Sequence, residues 1–454
     1  MPSPQGAAVA VMAILAFGVI IGSVTGPIAQ SAGITPVLVE EPAETGATPP
    51  AAGPEAGFAA TPPPPPAQLP APLSIAASPP LEGPAPAAPP PSLPPELPPE
   101  EVLPPITHVF LIVLGDHGFE EAFGPESPAP YLSEKLRGEG ELLPNYYAVT
   151  QGALANQIAL LSGQGPTPQT AADCPEYADL IAGEVAPAGQ VEGSGCVYPA
   201  EALTLPGQIA AAGGTWKAYV EGMADGAPPG SESCRRPPPG GPDQQHDALP
   251  DNPYQTWRNP FVYFHSLTDG PECAERDVDL EQLAPDLSSA KTTPTLSYLV
   301  PNACHAGDGG PCVDGQPTGL AASQAFLESV VPQIIASSAY QQGGLIAITS
   351  AQAPQAGPET DSSACCATPA YPNLPPPPET PPAPGPVQPS GGGGRVGLLL
   401  ISPFVEPGST EEAGYYNHFT LLRSIEELLG LSPLGYAAEL SVTPFDSSVY
   451  NAAP

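Results

Sequence analysis

Positive charge is what this chain has least of. Of 454 residues only 10 are Lys or Arg, against 47 Asp or Glu, for a formal net charge of -37. Nucleic acid needs basic patches to neutralise its phosphates, and it is excluded as a partner on that ground. A diffuse acidic surface serves solubility, and attraction of cations is its sharper reading. Close cysteine pairs of the Cys-x-x-Cys type are also missing, which argues against a structural zinc site. The eight cysteines are Cys174, Cys196, Cys234, Cys273, Cys304, Cys312, Cys365 and Cys366. An even number, all downstream of the N-terminal apolar run, points to disulfides formed in an oxidising compartment. Spacing does not fix their connectivity. Cys174 with Cys196 and Cys304 with Cys312 would close local loops.

What is present divides the chain into three. Residues 7–29 are almost wholly apolar, and no charge precedes Glu40. About 20 such residues span a hydrocarbon core. The run lacks the positive n-region of a secretory signal, and Pro27-Ile28-Ala29 is a poor cleavage site, so residues 1–30 read as an N-terminal membrane anchor in preference to a cleaved signal. With no Lys or Arg before Lys135, charge bias does not orient it. Residues 31–104 form a Pro/Ala tract, densest at Pro62 to Pro66. It cannot bury enough apolar surface to offset its ordering entropy, and reads as an extended, disordered spacer through a cell envelope.

The folded domain is expected over 105–454. His108 to Leu114 is a continuous apolar, β-branched run, as a strand buried on both faces should be. It ends in Gly115-Asp116-His117-Gly118. Strands are also expected at 216–221, 295–300, 345–349 and 396–401. Helices are expected at 131–139, 156–161, 206–212, 324–338 and 417–429, the last with Asn417 as N-cap. This alternation predicts an α/β fold, a mostly parallel sheet with helices on both faces. Chemistry in such sheets sits just beyond the carboxyl ends of the strands, which singles out Asp116 and His117. Two loop insertions interrupt the pattern, near 225–259 and 351–394; the second is read as disordered with one disulfide clamp at Cys365-Cys366.

The stretch from His108 to Gly163 resembles the phosphoesterase family of the alkaline-phosphatase superfamily, which includes bacterial acid phosphatases and phospholipases C. Further landmarks follow in family order: Asn145 to Thr150, Thr215 to Gly222, Asn259 to Phe264, Val300 to Asn302, Gly344 to Thr349, and Tyr416 to Glu426. The resemblance implies an alkaline-phosphatase-like sandwich and metal-dependent hydrolysis of phosphate esters. It also implies a divalent metal (Mg, Mn, Zn or Ca) held by carboxylates and an Asn, with a Ser or Thr nucleophile. Such a metal lowers the hydroxyl's pKa and screens the phosphoryl oxygens as charge builds.

The sequence departs from that pattern. Gly115-Asp116 stands where the family has Glu-Asn, and Gln151-Gly152-Ala153 where it has His-Pro-Ser or His-Pro-Thr. Ala306, Gly307, Asp308 and Gly309 replace an Asp-x-His-Asp run, and Ser350-Ala351-Gln352 replaces an acidic pair. Asn417-His418 stands unaltered. The remaining candidates are Asp116 and His418 as metal ligands, with Thr150 and Asn156 as catalytic residues. Each has a bland alternative: Asp116 as a turn cap, Thr150 as a strand end, His418 as a residue of a capped helix start. His117 and His305 read as exposed or hydrogen-bonded histidines and Asp308 as a turn residue. A register slip in this comparison would bring in Ser162 or Asp361. Two functions follow. One is a membrane-anchored extracytoplasmic phosphoesterase acting on an unknown phosphate ester. The other is a catalytically silent relative that binds a cell-envelope partner.

Overall fold

The computed structural model describes residues 102–366, 369–375 and 383–452. The expected anchor and almost all of the Pro/Ala spacer lie outside the described residues. Among the described residues, no helix is long and apolar enough to cross a membrane.

A seven-stranded sheet organises the domain. Its strands are β1 (His108–Asp116), β2 (Glu141–Leu143), β3 (Trp216–Val220), β4 (Asp277–Asp279), β5 (Leu296–Val300), β6 (Gly344–Gln352) and β7 (Leu398–Ile401). The order across the sheet is β2-β7-β6-β1-β5-β3-β4. β1 pairs in parallel with β5 and β6, β5 with β3, and β3 with β4, while β7 runs antiparallel to both β6 and β2. The mostly parallel α/β sheet expected from the sequence is therefore present. β2 and β4, each three residues long, were not legible, because so short a run carries no periodic signal.

β1 explains why the sheet is central. Val109, Leu111 and Val113 enter one hydrophobic core, and Phe110, Ile112 and Leu114 enter the other. The first core holds α1 (Ala153–Ser162) and much of α4 (His418–Leu428); the second holds the apolar face of α3 (Leu320–Ala336). A shorter helix, α2 (Leu205–Ala211), adds Leu205 and Ile209 to the first. Every residue of α1 is buried.

All eight cysteines are paired: Cys174–Cys196, Cys234–Cys273, Cys304–Cys312 and Cys365–Cys366. The last pair joins neighbours, so it closes no loop, and the expected disulfide clamp on 351–394 is corrected. Other contacts fasten the described part of that insertion. Tyr371 Oη donates to Val149 O at 2.7 Å, Asn373 Nδ2 to Val191 O at 2.9 Å, and Asn417 Nδ2 to Cys365 O at 3.0 Å. Its glycine run serves close approach: a Cβ at Gly393 would lie 2.2 Å from Thr150 O.

Candidate functional site at the carboxyl ends of the strands

Because β1, β5, β6 and β3 run in one direction, their carboxyl ends open on one side. Asp116 and Gln352, at the ends of β1 and β6, are register partners. Gln352 Nε2 donates to Asp116 Oδ2 at 2.8 Å, and Gln352 Oε1 accepts from Gly152 N at 2.9 Å. The other oxygen of Asp116, Oδ1, is shielded from solvent and has no hydrogen-bond partner. Burial, reinforced by Asp308, raises the Asp116 carboxyl from 3.8 to about 7. Asp173 reaches the same neighbourhood from the loop after α1. Its Oδ1 accepts from Leu154 N at 2.9 Å, and burial raises its carboxyl to about 6.

The cation here is Arg258. Its Nη2 donates to both oxygens of Asp308, at 2.7 and 2.9 Å, its Nε donates to Gln255 Oε1 at 2.7 Å, and its guanidinium lies 4.1 Å from the ring centroid of Trp257. Both side chains of the pair are about nine-tenths buried. Burial pushes the Asp308 carboxyl up, but the Arg258 charge and hydrogen bonds outweigh it and hold the group below its ordinary value. The same guanidinium lowers Asp116 and Asp173. Asp116, Trp257, Arg258, Asp308, Gly309 and Gly310 line an open cavity of about 380 Å³. Asp308 is thus no mere turn residue, and nothing in one dimension picks out Arg258 beyond its being one of ten cations in an acidic chain.

The other candidates are placed differently. Asn156 is a brace: its Oδ1 accepts from Val149 N and Thr150 N at 2.9 and 3.2 Å, and its Nδ2 donates to Thr150 O and Gly152 O at 2.7 and 2.9 Å. Those four bonds use its hydrogen-bonding capacity and knit the turn at 149–152 onto α1. The buried Thr150 Oγ1 donates to Gln151 O at 3.3 Å, with no base on it among the described residues. Ala153, which the sequence reading set against the family's hydroxyl, opens α1. His418 is fully buried, with Nε2 3.0 Å from Ala351 O and Nδ1 2.8 Å from Tyr146 Oη. A carbonyl only accepts, so Nε2 carries the proton and Nδ1 accepts from the tyrosine. Burial lowers the imidazole from 6.5 to about 4, so it is neutral with both nitrogens committed. It touches neither Asp116 nor Thr150 through a hydrogen bond.

His117 and His305 are hydrogen-bonded, as the sequence reading had them, and His117 is buried. His117 Nδ1 lies 3.0 Å from Glu121 Oε2 and Nε2 2.9 Å from Ala306 O. Burial pulls its pKa down, and the Glu121 carboxylate more than compensates, leaving it raised. His305 Nδ1 lies 2.7 Å from Glu221 Oε1. Ser162 Oγ donates to Ile158 O within α1, and Asp361 accepts from Arg395 N and Ser363 N; no hydrogen bond among the described residues ties either to Asp116.

The Phosphoesterase family matches residues 126–432. The chain belongs to that family. The matched stretch begins after β1, so Asp116 lies ahead of it while Thr150, Asn156, Arg258, Asp308, Gln352 and His418 fall inside. No curated protein matches the chain. Solved structures similar to this Phosphoesterase-family chain include an alkaline phosphatase superfamily protein from Vibrio parahaemolyticus, at 10 % identity, TM-score 0.42, covering 76 % of this chain and 72 % of that one. A putative sulfatase from Bacteroides thetaiotaomicron aligns at 10 % identity and TM-score 0.40, over 77 % and 75 % of the two chains. The lipoteichoic acid synthase LtaP from Listeria monocytogenes aligns at 10 % identity and TM-score 0.39, over 73 % and 74 %.

Family membership supports a hydrolase acting on ester bonds, and a divalent metal is in keeping with it. The donors at the strand ends do not fit one as they stand. Divalent cations of this class ask for several converging oxygens. Asp308 gives both of its oxygens to Arg258, Asp173 gives Oδ1 to Leu154 N, position 352 offers an amide already engaged on both sides, and Asp116 has one oxygen to spare. Among the described residues, three ligand-type side chains converge within 4.8 Å at Cys234, Cys273 and Asp277. The two sulfurs there are bonded to each other, which leaves no thiolate.

Proposed function

We propose that this protein is an extracytoplasmic ester hydrolase of the Phosphoesterase family, acting on a phosphate ester bound at the carboxyl ends of β1, β5 and β6. Family membership supplies the bond class. The observation that carries the site is Asp116 Oδ1, a solvent-shielded carboxylate oxygen without a partner, on a residue that lines a cavity. The Asp116 carboxylate so placed takes a proton from a water as the water oxygen bonds to phosphorus and the phosphorus–oxygen bond to the alcohol breaks. The same proton then passes to the departing alkoxide, with the amide of Gln352 holding the other carboxylate oxygen. Water attacks directly in this reading, since Ala153 offers no hydroxyl and Thr150 has no base beside it. The four disulfides are the support for an oxidising compartment. The apolar run at 7–29 would anchor the chain, with the Pro/Ala tract as its spacer.

A second reading has its own observation. The positions where the family keeps nucleophile and acidic pair hold Ala153, Ala351 and Gln352, and such a site suits a catalytically silent binder of an envelope partner. One assay separates the two: hydrolysis of a generic phosphomonoester and a generic phosphodiester by the full chain, in chelator and with Mg²⁺, Mn²⁺, Zn²⁺ or Ca²⁺. Turnover that falls by about 10²-fold or more in Asp116→Asn, and survives in Thr150→Val, is the expected result for general-base chemistry. Folded protein with no turnover on either ester in any condition favours the silent binder.

A further inference from the structure

We propose that Arg258 is the resident cation of the strand-end carboxylate cluster, occupying the electrostatic place that a divalent metal takes in the family. Four placements carry this, and it rests on the strand-end site proposed above.

The guanidinium touches one acid of the cluster and acts on two more. It contacts both oxygens of Asp308, and its charge acts on Asp116 and Asp173 as well. The pair is about nine-tenths buried, so solvent screens it little. Gln255 at 2.7 Å and the Trp257 face at 4.1 Å hold the arginine from behind, fixing a group that is otherwise long and mobile.

The space of a lost ligand has been filled. A Cβ at Gly115 would lie 2.5 Å from Asp308 Oδ2 and 2.7 Å from Ala306 O. A Glu at 115, as the family has, cannot coexist with Asp308 where it stands.

At 352 an amide replaces an acid. Gln352 Nε2 donates to Asp116 Oδ2 across 2.8 Å, where a second carboxylate would repel it unless a cation lay between. Finally, His117, hydrogen-bonded to Glu121 and to Ala306 O, supplies a second positive influence on Asp308. Buried charge of this kind needs partners, and here the chain supplies its own.

The test uses the full-length protein, stripped with chelator and titrated by calorimetry with MnCl₂, ZnCl₂ or CaCl₂ alone. Wild type and Asp116→Asn should show the same divalent uptake, any ions they hold lying elsewhere on the acidic surface. Arg258→Gln should melt at lower temperature in chelator and gain divalent affinity by roughly tenfold or more, a gain that Asp116→Asn abolishes. Wild-type binding that disappears in Asp116→Asn would overturn the proposal, as would an Arg258→Gln protein unchanged in both melting and cation uptake. Should Arg258→Gln fail to fold, the wild-type and Asp116→Asn titrations decide alone. Hydrolysis measured on the same samples keeps the two proposals apart. Turnover that requires a metal bound through Asp116 sinks this inference and leaves the hydrolase standing. Absent turnover with no cluster-bound metal sinks the hydrolase and leaves this inference standing.

Discussion

At single positions, burial decides which titratable groups are available for chemistry. His418 is the family landmark that stands unaltered, yet its Nε2–H is given to Ala351 O and its Nδ1 lone pair to Tyr146 Oη. Nothing is left over for a ligand without breaking two buried hydrogen bonds. His418→Ala should therefore lower stability by about 2–4 kcal/mol, from lost packing plus the orphaned Tyr146 hydroxyl and Ala351 carbonyl. Divalent affinity should not move. Chemical denaturation beside cation titration checks both, and a folded variant with weakened cation binding would give His418 a ligand's role. Asp116 contrasts with it, because one of its oxygens is left unused beside a cavity.

At the scale of elements, α4 shows how a capped helix start and a buried acid coexist. Asn417 Oδ1 accepts from Thr420 N at 3.1 Å, and Asn417 N donates to Thr420 Oγ1 at 3.3 Å, a reciprocal cap that satisfies two donors at the helix start. Further along, buried Glu426 accepts from Leu434 N at 3.0 Å through Oε1, while its Oε2 has no partner. Burial raises this carboxyl from 4.5 to about 8 against the weaker opposing effect of the Leu434 bond. With the folded value above the unfolded one, its stabilising contribution is complete below pH 4.5 and is lost as pH rises toward about 8. Glu426→Gln keeps an acceptor for Leu434 N and removes the titration. Its melting temperature should match wild type near pH 4.5 and exceed it near pH 8; a gap independent of pH would refute the assignment. The insertion at 351–394 teaches a related lesson, since single side chains such as Tyr371 and Asn373 fasten it where a loop-closing disulfide was expected.

For the whole molecule, the cross-links that close loops lie off the central sheet or at its edge. Cys174–Cys196 spans 22 residues and Cys234–Cys273 spans 39. Loop-closure entropy of that order makes the first worth about 3 kcal/mol. Replacing Cys174 and Cys196 together by Ser should cost about that much in chemical denaturation, and a neutral result would mean the unfolded chain is already constrained there. Unfolded but unreduced protein should show no titratable thiol, because all eight sulfurs are paired. With one Lys or Arg for nearly five acids, the fold meets its buried charge locally, through pairs such as Lys217 with Asp286 and Arg258 with Asp308.

The sequence by itself determined the order of the longer strands and helices, the parallel character of the sheet, the family, and the absence of a hydroxyl at Ala153. Those are local properties: periodicity, β-branched runs and residue identity survive in one dimension. It also placed Asp116 at a strand end, because a continuous apolar run must stop where its polar turn begins. Only the tertiary structure decided what surrounds that carboxyl. Arg258 lies 142 residues from Asp116 in sequence and Gln352 lies 236. Gln352 was legible only as a missing acid and Arg258 sits in no motif; the parallel register of β1 and β6 sets Gln352 beside Asp116, and Arg258 joins them from the Thr256–Arg258 turn through Asp308, in the loop after β5. The same holds for the placement of Asn156 and His418. Their residue types suit chemistry, and it is the hydrogen bonds closed around them in the fold that use them up.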